Sequence, residues 1–293
     1  MNAKNNPYNS SAIFKSWNVI YPIFIYFVVT NLAMSLFAMF ASFLGADIQE
    51  QYMALQTAAV AVTIPFMVRY YSKDRKVPTV FWKRMELMFQ KKSLVQKAGN
   101  GVLMFLAGAF VGAALNNLLA LTTLKEISQG FQEVNSYFFA GGIFFELLGA
   151  CLLTPFLEEL LYRSVVYARL CDLLIVTNEE KTEKGRKKER QSRLIAMTLS
   201  ALLFGVLHQN LVQFVYAGAL GIMLAWFVEE AGHFYGAFLA HVGANLISVL
   251  RVETGMLRWM EQSRSVFAGA TAGLAVISAV LLGGIWGLNK KRQ

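Results

Sequence analysis

Leu157-Glu158-Glu159-Leu160-Leu161-Tyr162-Arg163 lies inside an apolar run that extends from residue 138 to residue 171. A run of that length is a membrane-spanning helix, since about 20 apolar residues suffice to cross a bilayer. It is too long for one perpendicular crossing, so part of it tilts or projects as an interfacial helix. Each ionisable group inside such a span costs about 2.5–3.5 kcal/mol on insertion scales, so its presence calls for a reason. Helical geometry sorts the group. Glu159 and Arg163 are four apart on one face, with the acid N-terminal to the base, the favourable order for a pair. Glu158 is rotated by about 100° from that face and remains available to act on something else. A purely structural alternative stays open: both acids at the cytoplasmic boundary, wetted by headgroups. Glu146, a lone acid earlier in the run, is given no functional role.

Outward from this stretch the chain keeps the same character. Of 293 residues, 56% are hydrophobic and 15% charged, against about 25% charged in a soluble domain. Eight apolar segments fall near 18–43, 53–70, 101–123, 138–171, 194–210, 211–230, 233–250 and 265–288, which makes the expected fold an all-α integral membrane bundle of about eight transmembrane helices. The first is too long for a signal-peptide core and lacks a small-residue cleavage site, so it reads as an uncleaved anchor. The net charge of +9 sits between the segments: Lys4 and Lys15, then Arg69 through Lys97, then Lys181 through Arg193, then Lys290, Lys291 and Arg292. Loops near Asp47 and Glu50, and near Glu126 and Glu133, are acidic. That alternation follows the positive-inside rule and predicts both termini on the cytoplasmic side of the membrane. Arg251, Arg258 and Arg264 run against it, accompanied by Glu253 and Glu261. No stretch interleaves basic and aromatic residues as a nucleic-acid platform would, so nucleic acid is excluded as a partner; the lipid bilayer is the partner this charge pattern serves.

Cys151 and Cys171 sit about 30 Å apart along one helix and cannot bridge each other. The mixed-charge run 179–193 reads as a solvated helix or a flexible loop. Gly108-x-x-x-Gly112 and Gly269-x-x-x-Gly273 allow close helix approach, here within the chain.

The chain has three histidines. His208 closes Phe204-Gly205-Val206-Leu207-His208. His241 opens His241-Val242-Gly243-Ala244-Asn245, so His241 and Asn245 project from one face. His233, beside Gly232, reads as an interfacial residue. Together with the Glu-Glu-Arg cluster these are the parts of an amide hydrolase: a carboxylate and an imidazole to deprotonate water, and a second imidazole with an amide donor to receive the oxyanion. No Ser or Cys stands in a nucleophile setting, and no His-Glu-x-x-His of a zincin occurs.

Glu158-Glu159-x-x-x-Arg163, Phe204-x-x-x-His208 and His241-x-x-x-Asn245, in this order on successive apolar segments, resemble the three motifs of the CAAX protease and bacteriocin-processing family of intramembrane endopeptidases. The resemblance covers residues 140–250. It implies Glu158 as the catalytic carboxylate acting with His208 on water, Glu159 and Arg163 as a supporting pair, His241 and Asn245 as oxyanion binders, and a membrane-associated peptide or protein as substrate. It leaves the cofactor open between none and a divalent metal such as zinc, which Glu158, His208 and His241 would hold. The chain divides accordingly into an N-terminal three-span region (1–137), the protease-like core (138–250) and a C-terminal span with a basic tail (251–293). The first hundred residues add only membrane character to this reading. The alternatives are a non-catalytic membrane protein of the same fold, an immunity or scaffold component, and a small transporter. The transporter is disfavoured because Pro65 and Pro155, read as the only prolines interrupting segments, have no counterparts in matching halves. One conflict stands: Glu158 falls about 30 Å along a span starting at 138 and His208 about 20 Å along one entering from the other side. They meet only if the fourth helix starts outside its embedded part or tilts strongly.

Overall fold

The computed structural model describes residues 12–175 and 182–290. Lys4, Glu179, Lys181, Lys291 and Arg292 lie outside the described residues, as do parts of the basic arms and of the charged insert to which they belong. Among the described residues the chain is helical throughout, without a strand. In order come α1 (Ala12–Phe43), α2 (Ile48–Arg75), α3 (Val80–Gln90), α4 (Leu94–Ala120), α5 (Leu124–Ile127) and α6 (Gln129–Phe138). A long helix, α7 (Ile143–Leu174), follows. Then come α8 (Glu183–Val206), α9 (Leu211–Ala231), α10 (Tyr235–Glu253) and α11 (Arg264–Lys290).

Among these, six helices are long and apolar enough to cross a membrane: α1, α2, α4, α9, α10 and α11. The bent pair α6–α7 makes a seventh. The protein is therefore an all-helical integral membrane protein with six or seven candidate spans among its described residues, against the eight expected. The difference falls on the fifth segment, which is the second half of α8. Its first half carries the charged run from Glu183 to Arg193, so its apolar part is about 20 Å long and shorter than a bilayer core. The charged insert is, over its described part, a helical extension of α8 and not a loop.

The fourth segment also departs from its expected outline. It breaks at Gly141-Gly142, where α6 and α7 meet at 107°. Gly142 has φ +81°, in the left-handed region that glycine adopts without strain. A Cβ on Gly141 would lie 2.7 Å from the Glu50 carbonyl oxygen, so α2 packs directly on the break. Inside α7 the turns widen to π-helix over Glu146–Leu153 and again over Leu160–Val166. The six residues between, Thr154–Glu159, are α-helical and carry both acids, with Pro155 at their start. Wide π turns of this kind are found at functional sites in helices. Pro22 is a further proline inside a helix, in α1, which the sequence reading passed over.

The level of the two motifs is set by one contact. Ser192 at the start of the apolar half of α8 donates to the Leu174 carbonyl at the end of α7, at 3.1 Å. Sixteen residues separate Leu174 from Glu158 and sixteen separate Ser192 from His208, about 24 Å along each helix. The two antiparallel helices thus bring Glu158 and His208 to one level, and the conflict in depth disappears.

Small residues bring the other motif in. On α4, a Cβ at Gly108 would stand 1.9 Å from the Ala240 carbonyl oxygen, and on α10 one at Gly243 would stand 2.2 Å from that of Phe105. The backbones of α4 and α10 are therefore in contact next to His241, as the Gly108–Gly112 spacing anticipated. Gly269 and Gly273 have nothing within 4 Å, so that pair does not serve packing among the described residues.

Candidate active site

Two parallel side-chain pairs leave α7 near its middle. Glu159 and Arg163 approach to 3.0 Å with both side chains fully buried. The angle falls short of a linear hydrogen bond, so this is an ion pair rather than a fork. Arg163 is held further by donation to Ser200 Oγ at 3.1 Å and by the Phe204 ring, 5.1 Å from its guanidinium carbon. Ser200 Oγ in turn donates to the Tyr162 carbonyl at 3.0 Å, which fastens α8 to α7. Glu158 and Tyr162 form the second pair, four apart on the neighbouring face. Both line a cavity of about 190 Å3.

His241 reaches this group from α10. Its Nδ1 lies 2.9 Å from Glu159 Oε1 and its Nε2 lies 3.8 Å from Glu158 Oε2. Because a carboxylate only accepts, Nδ1 carries the proton and Nε2 its lone pair when the ring is neutral. The order Arg163–Glu159–His241 is thus a chain of charge-assisted contacts buried in the bundle, with the Glu158 carboxylate beside its far end. Asn245, one turn further along α10, donates its amide to the Ala150 carbonyl at 2.8 Å. Neither His241 nor Asn245 is among the cavity's lining residues. These two, which the resemblance implies as oxyanion binders, meet α7 through the Glu159 carboxylate and the Ala150 carbonyl.

His208 sits just past the end of α8, on the turn into α9. Its Nδ1 donates to the Phe204 carbonyl at 3.0 Å, so Nε2 keeps a lone pair. The turn is fixed by Asn210, whose amide donates to the His208 carbonyl at 3.0 Å and whose Oδ1 caps the Gln213 amide of α9 at 2.9 Å. Gln209 takes φ 58°, an uncommon conformation for a residue with a side chain. His208 lines the cavity with Glu158, Tyr162 and Phe204.

The opposite wall was not legible in the sequence. Tyr26, Thr30 and Asn31 of α1 and Tyr52 and Gln56 of α2 complete the cavity. The expectation that the first hundred residues add only membrane character is therefore corrected: α1 and α2 are held together by Thr30 and Thr63 hydroxyls at 3.0 Å and close the site. A Cβ on Gly149 would meet Thr57 Oγ1 at 2.0 Å, so α2 also lies against α7. Glu146, given no role, is fully buried with both oxygens unpartnered among the described residues. His233 stacks on Phe234 with ring centroids 4.7 Å apart; burial and the nearby Arg75 push its pKa down to about 4, so it is a neutral packing residue outside the site.

The donor set does not converge on a zinc ion in this structure. Among the described residues no three His, Cys, Asp or Glu side chains, Glu158, His208 and His241 included, stand where one ion could be held by all of them. Both cysteines are free and buried.

Fold and site together define an all-helical integral membrane protein with a carboxylate–imidazole centre enclosed in its bundle. Residues 140–247 match the family model described as Type II CAAX prenyl endopeptidase Rce1-like. That family is one of membrane proteases, and the matched segment contains all six motif residues, so the resemblance read from the three motifs holds over this part of the chain. No curated protein and no solved structure matches the chain.

Proposed function

We propose that the protein is an intramembrane endopeptidase that hydrolyses a peptide bond in a membrane-associated protein or peptide with water activated by Glu158 and His208. The observation that carries this reading is that Glu158 and His208, from helices far apart in sequence, line one polar-walled cavity inside an apolar bundle. His208 Nε2 orients the water, and Glu158 takes its proton as the water oxygen bonds to the scissile carbonyl carbon. The carbonyl π pair moves onto oxygen. Collapse of that oxyanion breaks the C–N bond, and the proton on Glu158 passes to the departing amine. Glu159, paired with Arg163, holds the His241 ring by its Nδ1 and so fixes it beside Glu158; these three are positioning residues. No step runs through a metal, because the donors do not converge on one.

The same reading places the protein in a bacterial plasma membrane with both termini cytoplasmic. It is supported by the positive residues of the α2–α4 connection and of the charged half of α8, which gather at one end of the bundle, where Arg84 meets Glu189 at 3.3 Å. Membrane peptidomes of host cells producing wild type, Glu158→Ala or His208→Ala at matched levels test the function. Fragments specific to wild type are expected. If the three peptidomes are alike, catalysis is not the role of this site.

A further inference from the structure

The wall of the cavity that faces Glu158 and His208 belongs to α1 and α2, outside the matched segment. The threonines of these two helices are spent within the bundle. Thr30 and Thr63 share a hydrogen bond at 3.0 Å, Thr63 also donates to the Ala59 carbonyl, and Thr57 donates to the Met53 carbonyl. The carboxamides are not spent. Asn31 gives one amide proton to the Phe27 carbonyl at 2.8 Å, one turn back on its own helix, and keeps its second proton and its oxygen. Gln56 makes no hydrogen bond to any described residue, through either its oxygen or its nitrogen. Both line the cavity and both keep accessible surface, Asn31 exposed and Gln56 partly so. Asn31 stands about 18 Å from the Phe43 end of α1 and Gln56 about 12 Å from the Ile48 end of α2, well inside their spans. Uncommitted polar groups at such depth are expensive.

Resting on the endopeptidase reading, we propose that Asn31 and Gln56 bind the main chain of the substrate beside the scissile bond, holding an extended segment across Glu158 and His208. A peptide bond inside a helix is closed to attack, because its carbonyl accepts from the N–H four residues on. The segment being cut is therefore unwound, and its released N–H and C=O groups need partners inside the bilayer. A carboxamide carries an acceptor and two donors. It can take an N–H and give one to a C=O, as a residue of a neighbouring strand does in β-pairing. Such contacts draw affinity from the main chain and leave the substrate's side chains unread. The substrates are then segments of low helix propensity around the cut, which unwind most easily. The assignment makes α1 and α2 substrate-binding elements rather than scaffold.

The test uses the full chain purified into liposomes and a synthetic peptide spanning a cleavage site found in the peptidome comparison. Companion peptides replace one non-scissile amide at a time by an ester, close on either side of the cut, which removes a single backbone N–H. Wild type, Asn31→Leu, Gln56→Met and Glu158→Gln are compared in kcat, KM and thermal unfolding. Loss of one uncharged hydrogen bond changes binding by about three- to tenfold. Asn31→Leu and Gln56→Met should each lower kcat/KM by that factor, mainly through KM, with the unfolding temperature level or higher. In wild type at least one ester should lower kcat/KM by a similar factor. In Asn31→Leu or Gln56→Met that same ester should have no further effect, which is the coupling a double-mutant cycle reads. If either variant stays within about twofold of wild type while Glu158→Gln is inactive, the proposal is overturned. It is also overturned if every ester acts equally in wild type and in both variants, because the carboxamides would then be structural. If Glu158→Gln cleaves as fast as wild type, the endopeptidase reading itself fails, and the assignment with it.

Discussion

Two of the arginine–carboxylate clusters among the described residues of this bundle are built to different rules. Near one end, Arg84 and Arg193 face Glu189 and Glu229: Arg84 is 2.8 Å from Glu229 and 3.3 Å from Glu189, and Arg193 is 3.7 Å from Glu229. Tyr167 adds a hydrogen bond to Glu229 at 2.6 Å. Two bases meet two acids, with the Arg84 side chain 29% exposed. In the middle of α7, a single arginine, fully buried, meets Glu159, and a second acid is left over beside a cavity. The balanced cluster ties α3, α8 and α9 together. The unbalanced one leaves a carboxylate unspent beside the cavity that His208 also lines.

Arg163→Met should break this comparison most severely. It strands the buried Glu159 carboxylate, a loss of about 3–5 kcal/mol, read as a lower unfolding temperature in detergent together with loss of cleavage. Adding Glu159→Gln should return part of the stability and none of the activity, which separates the structural from the positioning contribution of the pair. Gly108→Leu comes next. A side chain there must displace the Ala240 carbonyl, and overpacking of this kind costs about 1–3 kcal/mol. Because Ala240 adjoins His241, cleavage should fall more than stability does; equal loss of both would mean that α10 moves without disturbing the site. Arg84→Ala is the mildest change. A partly exposed pair contributes about 0–1 kcal/mol, so unfolding should shift slightly and cleavage should stay near wild type. A large loss of cleavage in Arg84→Ala would erase the distinction between the clusters.

The parts of the site that were legible in the sequence are those with a local rule. Glu159 and Arg163 are neighbours because any helix makes residues four apart neighbours, and even the π turns after Glu159 do not undo it. Glu158 was readable as the unpaired acid for the same reason. The division of labour around His241 was not, because whether it faces a substrate or the Glu159 carboxylate depends on the angle at which α10 meets α7. Tyr26 was invisible: Tyr21 and Tyr26, in a run of apolar residues on α1, carry no pattern that singles out either. The fifth expected span is the apolar half of α8, where a charged and an apolar half form one helix and hydropathy alone suggests a loop and a span.

By itself the sequence determined that this is an all-helical membrane protein, since a chain this apolar must satisfy its backbone within helices when no water is available. It also determined the pairing of Glu159 with Arg163 and the three motifs that fall within residues 140–247. Only the tertiary structure decided which helices enclose the cavity and that Glu158 and His208 stand at one level. The reason is physical. Within a helix, spacing dictates contact, whereas between membrane helices the lipid-facing and protein-facing sides are equally apolar, so only close backbone approaches, such as Gly108 against Ala240, settle which faces meet.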